Sequence, residues 1–161
     1  MHFGFSYIGP VYLAMLMIPN IIWAGNKPKD YELYAGKENR AHLALERIGE
    51  VLVSAIALVF SDFNLRPWDA WCLWLVMSFM LMLLYEAFWI RCFRSARTMR
   101  DFYRGIAGIP VAGATLPVAA FFLLGICGRN IPMLVSTVIL GVGHIGIHLG
   151  HAKEADKSGQ C

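Results

Sequence analysis

The sequence predicts an all-α protein, a polytopic membrane bundle of five transmembrane helices. Of its 161 residues, 58% are hydrophobic and 16% charged, where a soluble domain holds roughly 45–50% apolar and about 25% charged residues. The apolar residues also gather into stretches of about 20, the length a helix needs to cross a hydrocarbon layer of ~30 Å. Disordered chains and ordinary soluble domains are thereby excluded.

The first stretch, Tyr7 to Ala24, carries no charge and is interrupted only by Pro10, Pro19 and Asn20. Residues 1–6 contain neither Lys nor Arg, so the basic region of a cleaved leader is missing and this span is expected to be kept. A polar segment follows from Asn26 to Arg40, with Lys27, Lys29, Asp30, Glu32, Lys37 and Glu38. The next apolar run, Val51 to Ser61, is too short to cross alone. Extending it back to Ala41 reaches the required length and draws Glu46, Arg47 and Glu50 into the membrane or its inner boundary. Asp62 to Pro67 then forms a turn, and Trp68, Trp71 and Trp74 suit the aromatic belt of a membrane surface.

The third crossing runs from Ala70 to Ile90, where Glu86 beside Tyr85 is the single charge. Arg91, Arg94, Arg97, Arg100 and Arg104 recur every three or four residues, which predicts a partly helical loop with guanidinium groups along one side. Gly105 to Gly128 is uncharged and holds Pro110 and Pro117, a fourth crossing whose prolines kink or break it near its inner end. After the turn at Gly128 to Pro132 the fifth crossing occupies Ile131 to Gly150. The transmembrane domain is thus expected over residues 1–152, with a loose polar cytoplasmic tail at 153–161.

Lys and Arg collect in the loops of one side, leaving Arg66 and Arg129 on the other. Cytoplasmic loops retain positive charge, so the amino terminus is expected outside and the carboxyl terminus in the cytoplasm of a bacterial plasma membrane. The net charge of +3 reflects this bias and the lipid bilayer as partner, with no nucleic-acid signal. The four cysteines form no CxxC pair. Cys72 and Cys127 stand near the outer surface, and the expected reading of each is a small buried apolar residue.

Counting 1.5 Å of rise per helical residue places the ionisable side chains at one level near the inner surface. His144, His148 and His151 recur at i, i+4 and i+7 within an arc of about 60°. Such spacing lets a helix grip a divalent transition metal such as zinc, and equally suits proton exchange or substrate binding. Gly143, Gly146 and Gly150 lie on a neighbouring face that allows close helix contact. Asn39, His42, Glu46 and Glu50 share a face of the second helix. A carboxylate at that depth must be protonated, paired with Arg47 or turned into a wet cavity. Glu50, Glu86 and His148 are therefore the candidate catalytic groups. Arg47, Arg94, Arg97, Arg104 and Tyr85 are candidates for holding an anionic lipid or a phosphate- or carboxylate-bearing small molecule, because guanidinium groups match such oxygens.

Three functions compete. The first is a membrane enzyme with a cytoplasm-facing pocket acting on a lipid-like anionic amphiphile, with or without metal. The second is a small proton- or cation-coupled transporter, which would use a homodimer to supply paired halves. The third is a scaffold whose buried charges fix packing. HExxH, GxSxG and the P-loop are all missing from the sequence, so no motif selects the reaction.

Overall fold

The computed structural model describes residues 1–158 other than Ala35, Lys37 and Ala107. Lys37, named above, and Cys161, one of the four cysteines, lie outside the described residues, as does the side chain of Lys157. The described chain is all-α with no strand. Its helices are α1 (Ile8–Gly25), α2 (Arg40–Val59), α3 (Leu73–Arg94), α4 (Met99–Tyr103), α5 (Ala112–Cys127) and α6 (Ile131–Ser158).

Three helical stretches are long and apolar enough to cross a membrane: Ile8–Gly25, Ala70–Arg94 and Ile131–Asp156. Both other long helices miss that standard for a visible reason. Helix α5 is apolar but only 16 residues long, about 24 Å. Helix α2 has 20 residues, yet its first eleven include Arg40, Glu46, Arg47 and Glu50.

The helices stand in a ring. α6 packs between α2 and α5, α3 packs on α5, and α1 closes the circle by touching both α2 and α3, with α4 tucked beneath α6. Glycines set the closest approach. A Cβ on Gly49 would lie 2.5 Å from the Leu140 Cα, and one on Gly143 would lie 2.6 Å from the His42 carbonyl oxygen. Backbone therefore meets backbone where α2 crosses α6, as small residues permit. At the other end of α2, a Cβ on Gly9 of α1 would overlap the carbonyl of Ala57.

The core inside the ring is apolar and aromatic, built on Tyr12, Val53, Met82, Tyr85, Phe88, Trp89, Phe121 and Leu140. Two of its polar groups are bonded within the chain. The Tyr12 hydroxyl donates to Ser78 at 3.0 Å, and Ser78 donates to the Ala120 carbonyl at 2.6 Å.

Three expectations are corrected. The arginine run is partly helical, with Arg91 and Arg94 in α3 and Arg100 in α4, but its side chains do not share one side, because α3 ends at Arg94 and Arg97 takes a left-handed φ of 57°. Arg91 instead donates to the carbonyls of Gly105 and Arg104. The fourth helix does not start at Gly105, since Gly108 and Val111 both have positive φ and hold residues 108–111 in a turn. Pro117 lies inside α5 without breaking it. Finally, residues 153–158 are no loose tail: α6 runs on through Ser158, with Ala155 buried against Tyr34 and Met99.

Residues 2–6 clasp the far end of α2. Gly4 N–H donates to Val59 at 2.9 Å and Ser61 N–H to His2 at 3.1 Å, while the His2 amide and imidazole bond the Asp62 carboxylate at 2.7 and 2.8 Å. Burial pushes the Asp62 carboxyl up, but the His2 bonds outweigh it and hold the group below its ordinary value of 3.8. Its stabilising effect is therefore complete above about pH 4 and is lost as the pH falls through the lower folded value. Asp62→Asn is expected to cost about 1–3 kcal/mol at neutral pH. Amide exchange of Gly4 and Ser61 should then accelerate, and a variant with unchanged exchange there would contradict the clasp.

Candidate functional site

One cavity of about 280 Å³ collects the ionisable groups. Asn20 and Trp23 of α1, Leu43, Glu46 and Arg47 of α2, Trp89 of α3, and His144, Ile147, His148 and His151 of α6 form its walls. Helix α4 supplies Met99, Phe102 and Tyr103, and Tyr31 and Glu38 come from the segment joining α1 to α2.

Each wall residue arrives for a local reason. Pro19 removes the amide donor that would reach the Met15 carbonyl one turn back. Beside it, the Asn20 amide nitrogen donates to Leu16 at 2.7 Å and to the Tyr85 hydroxyl at 2.9 Å. Helix α4 is held by Thr98, whose hydroxyl accepts from the Asp101 amide at 3.1 Å, a capping bond of the usual kind. The Met99 amide also donates to Asp30 at 2.9 Å. That short helix then lays Phe102 and Tyr103 against the histidine face of α6, where Tyr103 and His148 ring centres are 5.8 Å apart.

The polar groups are joined in pairs. His144 Nδ1 lies 2.6 Å from Glu46 Oε1, and its ring centre is 4.6 Å from that of His148. The Tyr103 hydroxyl sits 3.1 Å from His148 Nδ1 and 3.3 Å from His151 Nδ1. His151 Nε2 in turn stands 3.5 Å from Glu38. Burial, with Tyr31 and Glu38 adding to it, pushes the Tyr103 phenol well up, so it stays protonated and can donate one hydrogen bond while accepting another.

Tyr103→Phe keeps the ring and removes that bridge. The ¹⁵Nδ1 resonances of both His148 and His151 are expected to move, with His144 held in place by Glu46. Resonances of His148 and His151 that stay where they were would show that the hydroxyl bonds neither.

Four residues picked out by the sequence meet here: Arg47, His144, His148 and His151. Others do not reach the cavity. Glu50 pairs with Arg47 at 3.2 Å on the outer side of α2, and Glu86 has a buried carboxylate oxygen without a hydrogen-bond partner among the described residues, away from the cavity walls. Arg94 at the end of α3 and Arg97 and Arg104 in the loops are exposed, and Arg97 reaches Asn26 at 3.4 Å. Tyr85 stands behind the wall, bonded by Asn20 at 2.9 Å and with its ring centre 6.1 Å from that of Trp89.

Tyr103 and Glu46 engage the Nδ1 atoms of all three histidines, and no group of three His, Cys, Asp or Glu that could hold a metal ion is found among the described residues. Sequence reasoning missed Tyr103, Trp23 and Trp89, passed over Glu46 in favour of Glu50, and left Glu38 in a polar segment. Tyr103 left a trace in the aromatic pair Phe102-Tyr103 inside a basic loop.

Compared with known proteins, the chain matches no family, no curated protein and no solved structure. The site therefore rests on its own chemistry. A carboxylate-oriented imidazole and a protonated phenol bonded to a second imidazole can take up and return protons within one shared cavity.

Proposed function

We propose that this chain is an integral membrane enzyme carrying out general acid–base chemistry on the polar head of an amphiphile. In this reading α1, α2, α3, α5 and α6 all cross the bilayer, with the amino-terminal end outside and the cavity opening toward the cytoplasm. The short α5 is accommodated by local thinning, and Arg47 snorkels to the interface.

The observation that carries the reading is the Glu46–His144 contact at 2.6 Å in the same cavity as the Tyr103–His148 contact at 3.1 Å. With its Nδ1–H directed at Glu46, His144 offers Nε2 as a base. The Tyr103 phenol, joined to His148, supplies a proton donor. Each of these groups touches the cavity, so both halves of a proton transfer are within reach of one ligand.

The transporter reading has less support. On the far side of the site stand Val53, Met82 and Leu140, and the buried hydroxyls of Tyr12 and Ser78 are already bonded within the chain.

The test is to reconstitute the full chain into liposomes of bacterial polar lipid and follow lipid masses over time. Time-dependent new masses that vanish in His144→Asn support an enzyme. Unchanged lipids together with proton flux driven by a pH gradient would instead favour the transporter.

A further inference from the structure

We infer that the ligand of this cavity is a single-chain amphiphile whose head bears anionic oxygens, carboxylate or phosphate, and that it enters sideways from the bilayer between α1 and α2. The inference rests on the membrane location and the site proposed above, and it adds the class of ligand and its route.

The route follows from how α1 and α2 diverge. They touch where Gly9 meets the Ala57 carbonyl. About 16 Å further along each axis, Asn20 and Trp23 on one helix and Leu43, Glu46 and Arg47 on the other border a cavity. The rim of that gap is open: Asn20 is exposed, Leu43 is 39% exposed, and the Arg47 side chain is 73% exposed. Ile18, Ile21 and Ile22 continue the apolar, exposed surface of α1 beside it.

The size of the cavity requires such a gap. A volume of about 280 Å³ is at the lower end of small-molecule sites. It admits a head group and a few carbons, so a long chain must lie outside, in the lipid.

The chemistry of the head follows from which polar groups are spare. Glu46 and Glu38 each stand against an imidazole, so neither carboxylate is left without a partner. Two donors are spare. Trp23 and Trp89 line the cavity, and the indole N–H of each is buried without a hydrogen-bond partner among the described residues. The Trp89 N–H approaches the Tyr85 phenol but outside hydrogen-bonding geometry. Buried donors of this kind call for an acceptor. Arg47 adds a positive charge at the mouth, held at rest by Glu50.

The experiment uses the full chain in phosphatidylcholine nanodiscs, with palmitate, palmitoyl-lysophosphatidate, hexadecylamine and inorganic phosphate as probes of binding. Palmitate or lysophosphatidate is expected to bind saturably at one per chain, the tighter of the two identifying the head. Inorganic phosphate alone should not compete. Trp23→Phe, which keeps the ring and loses the donor, and Arg47→Gln should each weaken that binding about tenfold. Leu43→Trp should slow association by narrowing the gap. Hexadecylamine binding as tightly as the anions would overturn the inference, as would Trp23→Phe binding like the parent. Binding as expected without turnover would refute the proposed enzyme and leave the ligand assignment standing.

Discussion

Gly143→Ala is expected to lower the unfolding free energy by about 3 kcal/mol or more, while Gly150→Ala in the same helix leaves it unchanged or raises it by about 0.5–1 kcal/mol. The substitution is identical and only the surroundings differ. A Cβ at Gly143 would stand 2.6 Å from the His42 carbonyl oxygen and would also overlap the backbone of Glu46, whereas one at Gly150 meets nothing within 4 Å. The obstacle at Gly143 is main chain, so no rotamer change can relieve it, and α2 must move away from α6. That movement separates Glu46 from His144. A helix interior otherwise gains from losing a glycine, which fixes the opposite sign at Gly150. Denaturation of both variants in mixed micelles gives the comparison; equal stabilities would mean that α2 and α6 do not cross at Gly143.

Glu46→Gln is expected to reduce turnover by about 10²–10⁴-fold with little change in KM. The amide can still accept a hydrogen bond from His144 Nδ1, so the ring keeps its place. It cannot stabilise the imidazolium that forms when Nε2 takes a proton. The loss should therefore appear in kcat. Glu50→Gln is the contrast, because its carboxylate pairs with Arg47 outside the cavity, and turnover there should change by less than about twofold. Rates of both variants in the liposome assay decide the matter. Equal losses would return the base to Glu50, and no loss in Glu46→Gln would remove the dyad from the reaction.

These two glutamates show why the site was only partly legible in the sequence. Four residues apart, they share a helix face to within about 40°, and both can be drawn into the membrane by the same extension of α2. The buried stripe of α2 runs through Gly49, Val53 and Ala57. Glu46 falls beside it, and Glu50 is turned further outward. Periodicity fixes that angle, but the direction facing the bundle is set by the partner helix that Gly49 and Gly143 admit. The arginines were misplaced for a related reason. Their spacing fits a helix, but Arg97 adopts a left-handed backbone that interrupts it and divides the side chains among α3, α4 and the loops.

By itself, the sequence determined that this is an all-α chain with segments able to cross a membrane, and that three histidines share one face near the end of the last helix. Those properties follow from composition and from a fixed angle per residue, both of which are local. Tertiary structure alone decided that Tyr103 bridges two of those histidines, that Glu46 holds the third, and that Trp23 and Trp89 stand in the same wall. Contacts between segments some 40 to 100 residues apart depend on how closely backbones can approach and at what angle they cross, and no single helix carries that information.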